Sequence, residues 1–263
     1  MSDAIPIGVF DSGVGGLSIA RCLQRELPSE SFLYFADQKY SPYGSKSASW
    51  LEARTELVAQ FLLERGCKAL VVACNTATVN SISALREKIE LPIVGVEPAI
   101  KPAALHSKAG VVGVLATAQT LRADSFCTLL DKFSGPVKLL TQACPELVGL
   151  VESANLHSEE TIDALRSYIE PLLDLGADHI VLGCTHFSFL RESIAQVIGG
   201  RALILDAGAP VAAELRRQLG KFDLLNASCA PGKISFYSSG ATSLAAKNMS
   251  LLWGSPIELR EAI

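Results

Sequence analysis

Short apolar segments alternate with amphipathic stretches along the whole chain, a rhythm typical of α/β proteins whose strands form parallel sheets. The predicted strands are Ile5–Phe10, Phe32–Phe35, Ala69–Ala73, Ile93–Val96, Val111–Leu115, Val137–Leu140, His179–Gly183 and Ala202–Leu205. The clearest predicted helices are Ser47–Arg65, Thr76–Lys88, Thr120–Lys132, Ser158–Leu175 and Phe187–Val197. The pattern therefore predicts an α/β fold with mostly parallel sheets.

The second half of this pattern repeats the first. Residues 66–76 align without a gap with residues 176–186, and Cys74 falls on Cys184. Residues 8–12 align in the same way with residues 113–117. Any two strand–helix units share some likeness, but an ungapped match with a cysteine at the same point favours a duplication. Duplicated halves are expected to pack with pseudo-twofold symmetry.

The C-terminal region has no counterpart in the first repeat. After Leu205 it continues with a predicted helix, Pro210–Leu219, and a predicted strand, Ile234–Tyr237. We therefore expect the chain to return, so that residues 1–97 with 208–263 form the first α/β domain and residues 98–207 form the second. An active-site cleft would lie between the domains, because α/β proteins bind ligands beyond the C-terminal ends of their strands.

Composition removes several classes of function. With 49% hydrophobic and 19% charged residues the chain is not disordered. A net charge of −4 gives no reason to expect nucleic acid or an anionic membrane as a partner. No apolar run approaches the roughly 20 residues of a membrane helix, and the N-terminus lacks the pattern of a signal peptide, so a cytoplasmic protein is predicted. The seven cysteines lack zinc-binding spacing, so no metal site is expected.

A glycine-rich turn, Asp11-Ser12-Gly13-Val14-Gly15-Gly16, follows the first predicted strand. A dinucleotide site is the obvious alternative, and Asp37 lies where such a site would place its ribose-binding acid. However, Ser18 occupies the third glycine position, and the carboxylate of Asp11 would repel a pyrophosphate. We instead expect the glycines to bring backbone N–H groups near a substrate carboxylate, with Asp11 facing a cationic or protonatable group.

Cys74 and Cys184 each follow a predicted strand, so two thiols would approach one cleft from opposite sides. Disulfide chemistry is one use for such a pair, although it normally involves closer spacing or a resolving partner. Racemisation is another, because one thiolate removes a proton from a carbon while the opposite thiol returns one. The pair would then share about one proton at rest. Four other cysteines are expected to be buried packing residues, namely Cys22, Cys67, Cys127 and Cys229, and a structural role is expected of Cys144.

Several motifs in order along the chain resemble the signatures of glutamate racemases. They are Asp11–Gly16, Pro42-Tyr43-Gly44, Ala73-Cys74-Asn75-Thr76-Ala77, Gly95–Ala99, Ala143-Cys144-Pro145 with Leu150-Val151-Glu152, Gly183-Cys184-Thr185-His186-Phe187 and Phe236–Gly240. The resemblance implies two pseudo-twofold-related α/β domains and an enzyme that needs neither pyridoxal phosphate nor metal. It also implies that the enzyme supplies D-glutamate for peptidoglycan.

The same resemblance implies a role for individual residues. Cys74 would serve the D-enantiomer with help from Asp11, and Cys184 would serve the L-enantiomer with help from His186 and Glu152. From the residues alone, Glu152 is equally a charge on a helix face. The implied substrate contacts are Asp11, Ser12, Tyr43, Gly44, Asn75, Thr76, Thr117, Thr120, Thr185 and His186.

Two alternatives stay open at this point. One is a racemase for aspartate, or a related decarboxylase or isomerase, since one methylene group is worth only about 1–3 kcal/mol of discrimination. The other is a non-catalytic two-domain protein that binds an amino acid. The expected partner is a small-molecule substrate, L- or D-glutamate, and the resemblance allows a homodimer because members of the family are often dimers.

Overall fold

The computed structural model describes residues 5–135, 137–240 and 242–263. The strands in chain order are β1 (Ile7–Asp11), β2 (Phe32–Ala36), β3 (Ala69–Val72), β4 (Ile93–Gly95), β5 (Val111–Ala116), β6 (Lys138–Ala143), β7 (His179–Leu182), β8 (Leu203–Leu205), β9 (Ile234–Ser238) and β10 (Leu259–Glu261). All eight predicted strands and the predicted C-terminal strand are present, with ends shifted by at most three residues. Residues 1–4, where a signal peptide would begin, lie outside the described residues.

The strands form two parallel sheets with the same internal order. The first sheet has the order β10-β9-β2-β1-β3-β4, and the second has the order β6-β5-β7-β8. Within the first sheet, β2-β1-β3-β4 corresponds strand for strand to β6-β5-β7-β8. The predicted α/β fold with mostly parallel sheets in two related halves is confirmed.

The helices are α1 (Leu17–Glu26), α2 (Ala48–Leu63), α3 (Asn75–Lys88), α4 (Ile100–His106), α5 (Ala118–Arg122), α6 (Asp124–Asp131), α7 (Pro145–Glu152), α8 (Glu159–Asp174), α9 (Arg191–Ile198), α10 (Gly208–Lys221) and α11 (Ser243–Trp253). Short 3₁₀ helices cover Gln38–Tyr40, Tyr43–Ser45 and Thr185–Leu190. The sequence did not predict α4, α7, α11 or β10.

Two predicted helices are wrong in detail. The predicted helix Thr120–Lys132 is split into α5 and α6 by the extended backbone of Ala123. The split lets the Thr120 hydroxyl bond to α3 while Phe126 enters the core of the second half. The predicted helix Phe187–Val197 begins instead as a 3₁₀ helix at Thr185, and α9 starts only at Arg191.

Both sheets are covered on both faces, as parallel sheets are. Successive residues of a strand point to opposite faces, so Val9 and Val71 join the core beside α1 and α10, whereas Phe10 and Val72 join the core beside α2 and α3. In the second sheet, α8 and α9 cover one face, and α4 and α6 cover the other. Because helices pack on both faces of each sheet, the strands are held in place, and so are the residues directly after them.

The strand registers bring the sequence motifs to one edge of each sheet. Phe10 pairs with Val72, so the turn that begins at Asp11 and the segment that leads to Cys74 leave the first sheet side by side. Leu115 pairs with Leu182, so Thr117 and Cys184 leave the second sheet in the same way. Both cysteines thus lie beyond the C-terminal ends of central strands.

The C-terminal region returns to the first sheet, where β9 pairs with β2 and β10 pairs with β9. Helix α10 packs against α1. These pairings support the division into residues 1–97 with 208–263 and residues 98–207, whose boundaries stay a prediction. No helix in the described parts of the chain is both long enough and apolar enough to cross a membrane.

Candidate active site

The turn after β1 contributes the buried carboxyl group of Asp11 to the site. Asp11 is fully buried, its Oδ2 accepts the N–H of Gly13 at 2.9 Å, and its Oδ1 accepts the hydroxyl of Thr185 at 3.4 Å. Burial raises the pKa of Asp11, while the nearby His186 opposes that rise. The carboxyl group of Asp11 therefore lies between the two halves and faces protonatable groups, as the sequence suggested.

The glycines of this turn make room for side chains of the second half. A Cβ atom on Gly15 would lie 2.3 Å from Nδ1 of His186, and one on Gly13 would lie 1.7 Å from Oε1 of Glu152. The N–H of Val14 donates to Oε1 of Glu152 at 3.0 Å, and the N–H of Gly13 is taken up by Asp11. These two N–H groups therefore bond to protein carboxylates, not to a substrate carboxylate as the sequence analysis expected.

Cys74 ends the loop after β3 and precedes α3. Its side chain is 5% exposed, and its thiol donates to the hydroxyl of Ser12 at 3.7 Å. Burial raises the pKa of Cys74, and the negative charge of Asp11 raises it further. Cys74 is consequently a protonated thiol at neutral pH.

Cys184 has a different set of neighbours. Its sulfur lies 3.7 Å from Nδ1 of His186, and the opposite ring nitrogen, Nε2, lies 2.8 Å from Oε1 of Glu152. These contacts form a chain of hydrogen bonds from sulfur to imidazole to carboxylate, in which His186 is 2% exposed and the side chain of Glu152 is 20% exposed. Such a chain can carry a proton to or from the sulfur.

The charged forms of His186 and Glu152 stabilise each other. Burial by itself would lower the pKa of His186, but hydrogen bonds with Cys184 and Glu152 raise it well above its ordinary value of 6.5. Burial by itself would raise the pKa of Glu152, but the hydrogen bonds from His186 and from the N–H of Val14 hold that pKa below its ordinary value of 4.5. At neutral pH this pair is an imidazolium and a carboxylate.

Three threonine hydroxyls close the site on its other side. Oγ1 of Thr76 lies 2.9 Å from Oγ1 of Thr117 and 3.1 Å from Oγ1 of Thr120, and the last two are 2.9 Å apart. Thr120 is fully buried. The hydroxyls thus form a triangle, here called the threonine triangle, that joins α3 of the first half to α5 of the second. A carboxylate can accept hydrogen bonds from all three.

Asn75 offers an acceptor without a partner. Its Nδ2 donates to the carbonyl of Val96 at 3.2 Å, and that carbonyl fixes the orientation of the amide. Its Oδ1 is buried and has no hydrogen-bond partner among the described residues. Because an unpaired buried acceptor costs roughly 1–3 kcal/mol, it suits a donor on a ligand, such as an ammonium group.

The segment Tyr43–Gly44 faces the threonine triangle through Gly44, where an added Cβ would lie 2.9 Å from Cβ of Thr117. Tyr43 is buried, and its hydroxyl donates to Oδ2 of Asp37 at 2.5 Å. Asp37 is also paired with Arg54. Sequence reasoning weighed Asp37 only as a ribose-binding acid and missed Arg54 altogether.

Contacts between the two halves involve eight of the predicted site residues, and the other five lie within two positions of one of them in the sequence; the eight are Asp11, Gly44, Thr76, Thr117, Thr120, Glu152, Thr185 and His186. Glu152, with 20% of its side chain exposed, also lines a cavity of 470 Å³ beside Ser41, Pro42 and Asn248. Within the described residues, no group of three or more His, Cys, Asp or Glu side chains is arranged to hold a metal ion.

Of the remaining cysteines, Cys67 and Cys144 are buried as expected, Cys22 is half-buried, and Cys127 and Cys229 are exposed, against expectation. These last two lie on surface segments that the core does not cover.

Comparison with known proteins agrees with this geometry. The family model for Asp/Glu/Hydantoin racemase matches residues 8–215. A curated glutamate racemase of Stutzerimonas stutzeri (strain A1501) is 46% identical over 252 residues, which are 95% of this chain and 95% of that protein.

Solved structures agree as well. Glutamate racemase isoform RacE1 from Bacillus anthracis superposes with a TM-score of 0.88 at 30% identity, covering 98% of this chain and 97% of that one. The glutamate racemase from Francisella tularensis in complex with D-glutamate gives 0.86 at 26% identity, with 98% and 97% coverage. The chain therefore belongs to the Asp/Glu/Hydantoin racemase family, beside relatives named glutamate racemase, and is an isomerase.

Proposed function

We propose that this enzyme interconverts L- and D-glutamate without a cofactor, with Cys74 and Cys184 as the two proton carriers. The observation that carries the proposal is the placement of two cysteines at equivalent strand ends, each beside a different acid–base group. The names of the relatives favour glutamate over aspartate as the substrate. The product D-glutamate would serve peptidoglycan synthesis in the cytoplasm.

Starting from L-glutamate, Cys184 removes the α-proton and Cys74 donates a proton to the opposite face of the carbon. The raised pKa of Cys74 suits it to begin as the donor. His186 exchanges a proton with Cys184 across their 3.7 Å contact, and Glu152 keeps the imidazole charged and oriented. The roles reverse for D-glutamate, with Asp11 receiving the proton of Cys74.

The substrate is held by polar groups of both halves. Its carboxylate accepts hydrogen bonds from the threonine triangle, whose hydroxyls otherwise bond to one another and, in the case of Thr117, to the N–H of Thr120. Its ammonium group donates to the unpaired Oδ1 of Asn75. Ser12, Thr185 and the Tyr43–Gly44 segment complete the contacts.

The test is proton exchange at the α-carbon. Wild-type enzyme is incubated with either glutamate enantiomer in deuterated water, and optical rotation and the α-proton signal are followed together. Racemisation with deuterium incorporation is expected. Cys74→Ser and Cys184→Ser should each lower kcat/KM by about 10²–10⁴-fold, the usual contribution of a positioned acid or base. The control is Cys127→Ser, an exposed thiol whose loss should change nothing.

Either single active-site variant turning over at the wild-type rate would contradict the two-base mechanism. Binding of glutamate without α-proton exchange would contradict the racemase activity itself. The same assay run with aspartate separates the two substrates, and faster turnover of aspartate would overturn the assignment of glutamate.

A further inference from the structure

A buried ion pair lies just behind the Tyr43–Gly44 segment. Nε of Arg54 lies 2.8 Å from Oδ2 of Asp37, and the adjacent NH2 lies 2.6 Å from Oδ1. The side chain of Asp37 is fully buried, and that of Arg54 is 10% exposed. This two-point pairing is the geometry for which the planar guanidinium is suited and the ammonium of lysine is not.

The carboxylate of Asp37 also holds Tyr43. The hydroxyl of Tyr43 donates to Oδ2 at 2.5 Å, on the same oxygen that accepts Nε of Arg54. Burial and the charge of Asp37 raise the pKa of Tyr43, so its hydroxyl stays protonated and keeps donating. That hydroxyl is therefore engaged by Asp37. Within the Tyr43–Gly44 segment, the groups available to a substrate are therefore the backbone atoms around Gly44, which faces Thr117.

Asp37 also contacts the turn after β1. Its backbone N–H donates to the carbonyl of Asp11 at 2.9 Å. One residue thus connects the turn that carries Asp11 with the segment that carries Gly44. Because a buried carboxylate without a counter-charge costs several kcal/mol, Asp37 keeps this position only while a cation faces it.

We propose that Arg54 is a positioning residue of this racemase, which acts through Asp37 to hold the Tyr43–Gly44 segment at the distance from Thr117 that the substrate requires. The inference depends on the proposed function, because it takes this segment as part of the substrate site. Arg54 reaches no predicted site residue directly in the hydrogen bonds described, since its contacts are Asp37, the backbone carbonyl of Ile263 and the ring of Tyr40.

The test compares Arg54→Lys with wild type in steady-state racemisation from both enantiomers. Lysine keeps the charge but loses the two-point contact, so KM should rise about tenfold, equivalent to about 1.4 kcal/mol, with kcat changed by less than about threefold. Arg54→Ala should show a larger rise in KM that millimolar methylguanidinium partly reverses. The matched control is Arg65→Lys, which loses a contact over the Phe61 ring away from this segment and should leave KM unchanged.

Tyr43→Phe gives an independent arm, because it removes the hydroxyl and leaves the Arg54–Asp37 pair intact. It should raise KM by a similar factor, and the double variant Tyr43→Phe/Arg54→Lys should be no worse than the poorer single variant, as expected for residues acting in one chain of contacts.

Wild-type KM in Arg54→Lys with a lowered urea midpoint would overturn the proposal and leave a purely structural ion pair. Additive losses in the double variant would overturn it too. If Arg54→Lys fails to fold, Tyr43→Phe with wild-type KM overturns it alone. Failure of wild type to racemise glutamate would instead reject the proposed function.

Discussion

Cys74 and Cys184 occupy matching places in two related sheets, yet their surroundings differ. Cys74 is beside a hydroxyl and a carboxyl group, whereas Cys184 is beside an imidazolium supported by Glu152. The repeated strand order accounts for the shared position. The difference arises because His186 follows Cys184, whereas Ser12 and Asp11 approach Cys74 from the turn after β1. In the proposed mechanism, the two directions of the reaction therefore use unlike acid–base groups.

His186→Gln should expose this difference. Because the enantiomers have equal free energies, any variant must lose the same factor in kcat/KM in both directions, here about 10²–10⁴-fold. The asymmetry should appear in the primary isotope effect, which is expected to be larger for α-deuterated L-glutamate, whose deuteron Cys184 removes. An equal isotope effect for both α-deuterated enantiomers would show that His186 does not act on Cys184 in particular.

Sequence reasoning found the residues that a repeat or a motif marks. Cys74 and Cys184 stand at equivalent points, and Asp11 opens a glycine-rich turn. Arg54 carries no such mark, because it belongs to an ordinary amphipathic helix and meets Asp37 only once α2 packs beside β2. The close approach of Gly15 to His186 was missed for the same reason, since His186 comes from the other half.

At the scale of elements, helix caps serve two purposes in this molecule. Thr117 caps α5, its hydroxyl accepting the N–H of Thr120, and it also belongs to the threonine triangle. Ser158 caps α8, its hydroxyl accepting the N–H of Thr161, in a part of the second half outside the candidate site. A comparison of variants at Thr117 and Ser158 therefore separates the free energy that a cap adds to folding from the free energy of substrate binding.

Thr117→Ala and Ser158→Ala should each lower the free energy of unfolding by about 1 kcal/mol, the usual value of a cap. Only Thr117→Ala should raise KM, by roughly 10–100-fold, because a hydrogen bond to a charged group is worth about 1.5–3 kcal/mol. Urea titration and steady-state kinetics measure the two effects. Thr117→Ser keeps the hydroxyl and should behave as wild type, and a raised KM in Ser158→Ala would undo the distinction.

The elements themselves were predictable to different degrees. Buried strands such as β3 and β7 were found because parallel strands read as short apolar runs. The break at Ala123 was not, since it has no glycine or proline to mark it and depends on where Thr120 and Phe126 find partners. The 3₁₀ helix after Cys184 escaped for a similar reason, because its apolar residues fit an α-helical period equally well.

At the scale of the whole molecule, the ion pair of His186 and Glu152 links stability to pH. A raised pKa in the folded state means that the stabilisation from His186 is complete below 6.5 and is lost as pH rises through the folded pKa. The lowered pKa of Glu152 means that its stabilisation is present above 4.5 and is lost as pH falls through its folded pKa. The pair therefore contributes most between these limits.

The difference in free energy of unfolding between wild type and His186→Gln should be largest from about pH 5.5 to 6.5 and should shrink as pH rises towards 9, by at most about 1.4 kcal/mol per pH unit. Urea titrations across this range provide the measurement, and groups remote from His186 cancel because both proteins carry them in the same surroundings. A difference that stays constant to pH 9, or grows, would be inconsistent with a raised pKa.

The repeated strand order could be anticipated from the alignment of residues 66–76 with 176–186, and with it the two halves. How the halves meet could not, because the contacts between them join residues far apart in the sequence, such as Thr76 with Thr117 at 41 positions and Val14 with Glu152 at 138. Sequence periodicity reports what is buried within each half, whereas the site is formed where the halves face one another.

The threonine triangle has a consequence for chemical vulnerability. While its hydroxyls bond across the halves, both sulfurs are almost sealed, with 5% of Cys74 and 7% of Cys184 exposed. Oxidants and alkylating reagents therefore have little direct access to either sulfur in this arrangement. The proposed mechanism requires both thiols to stay reduced, and we expect a saturating ligand in the site to slow their modification further.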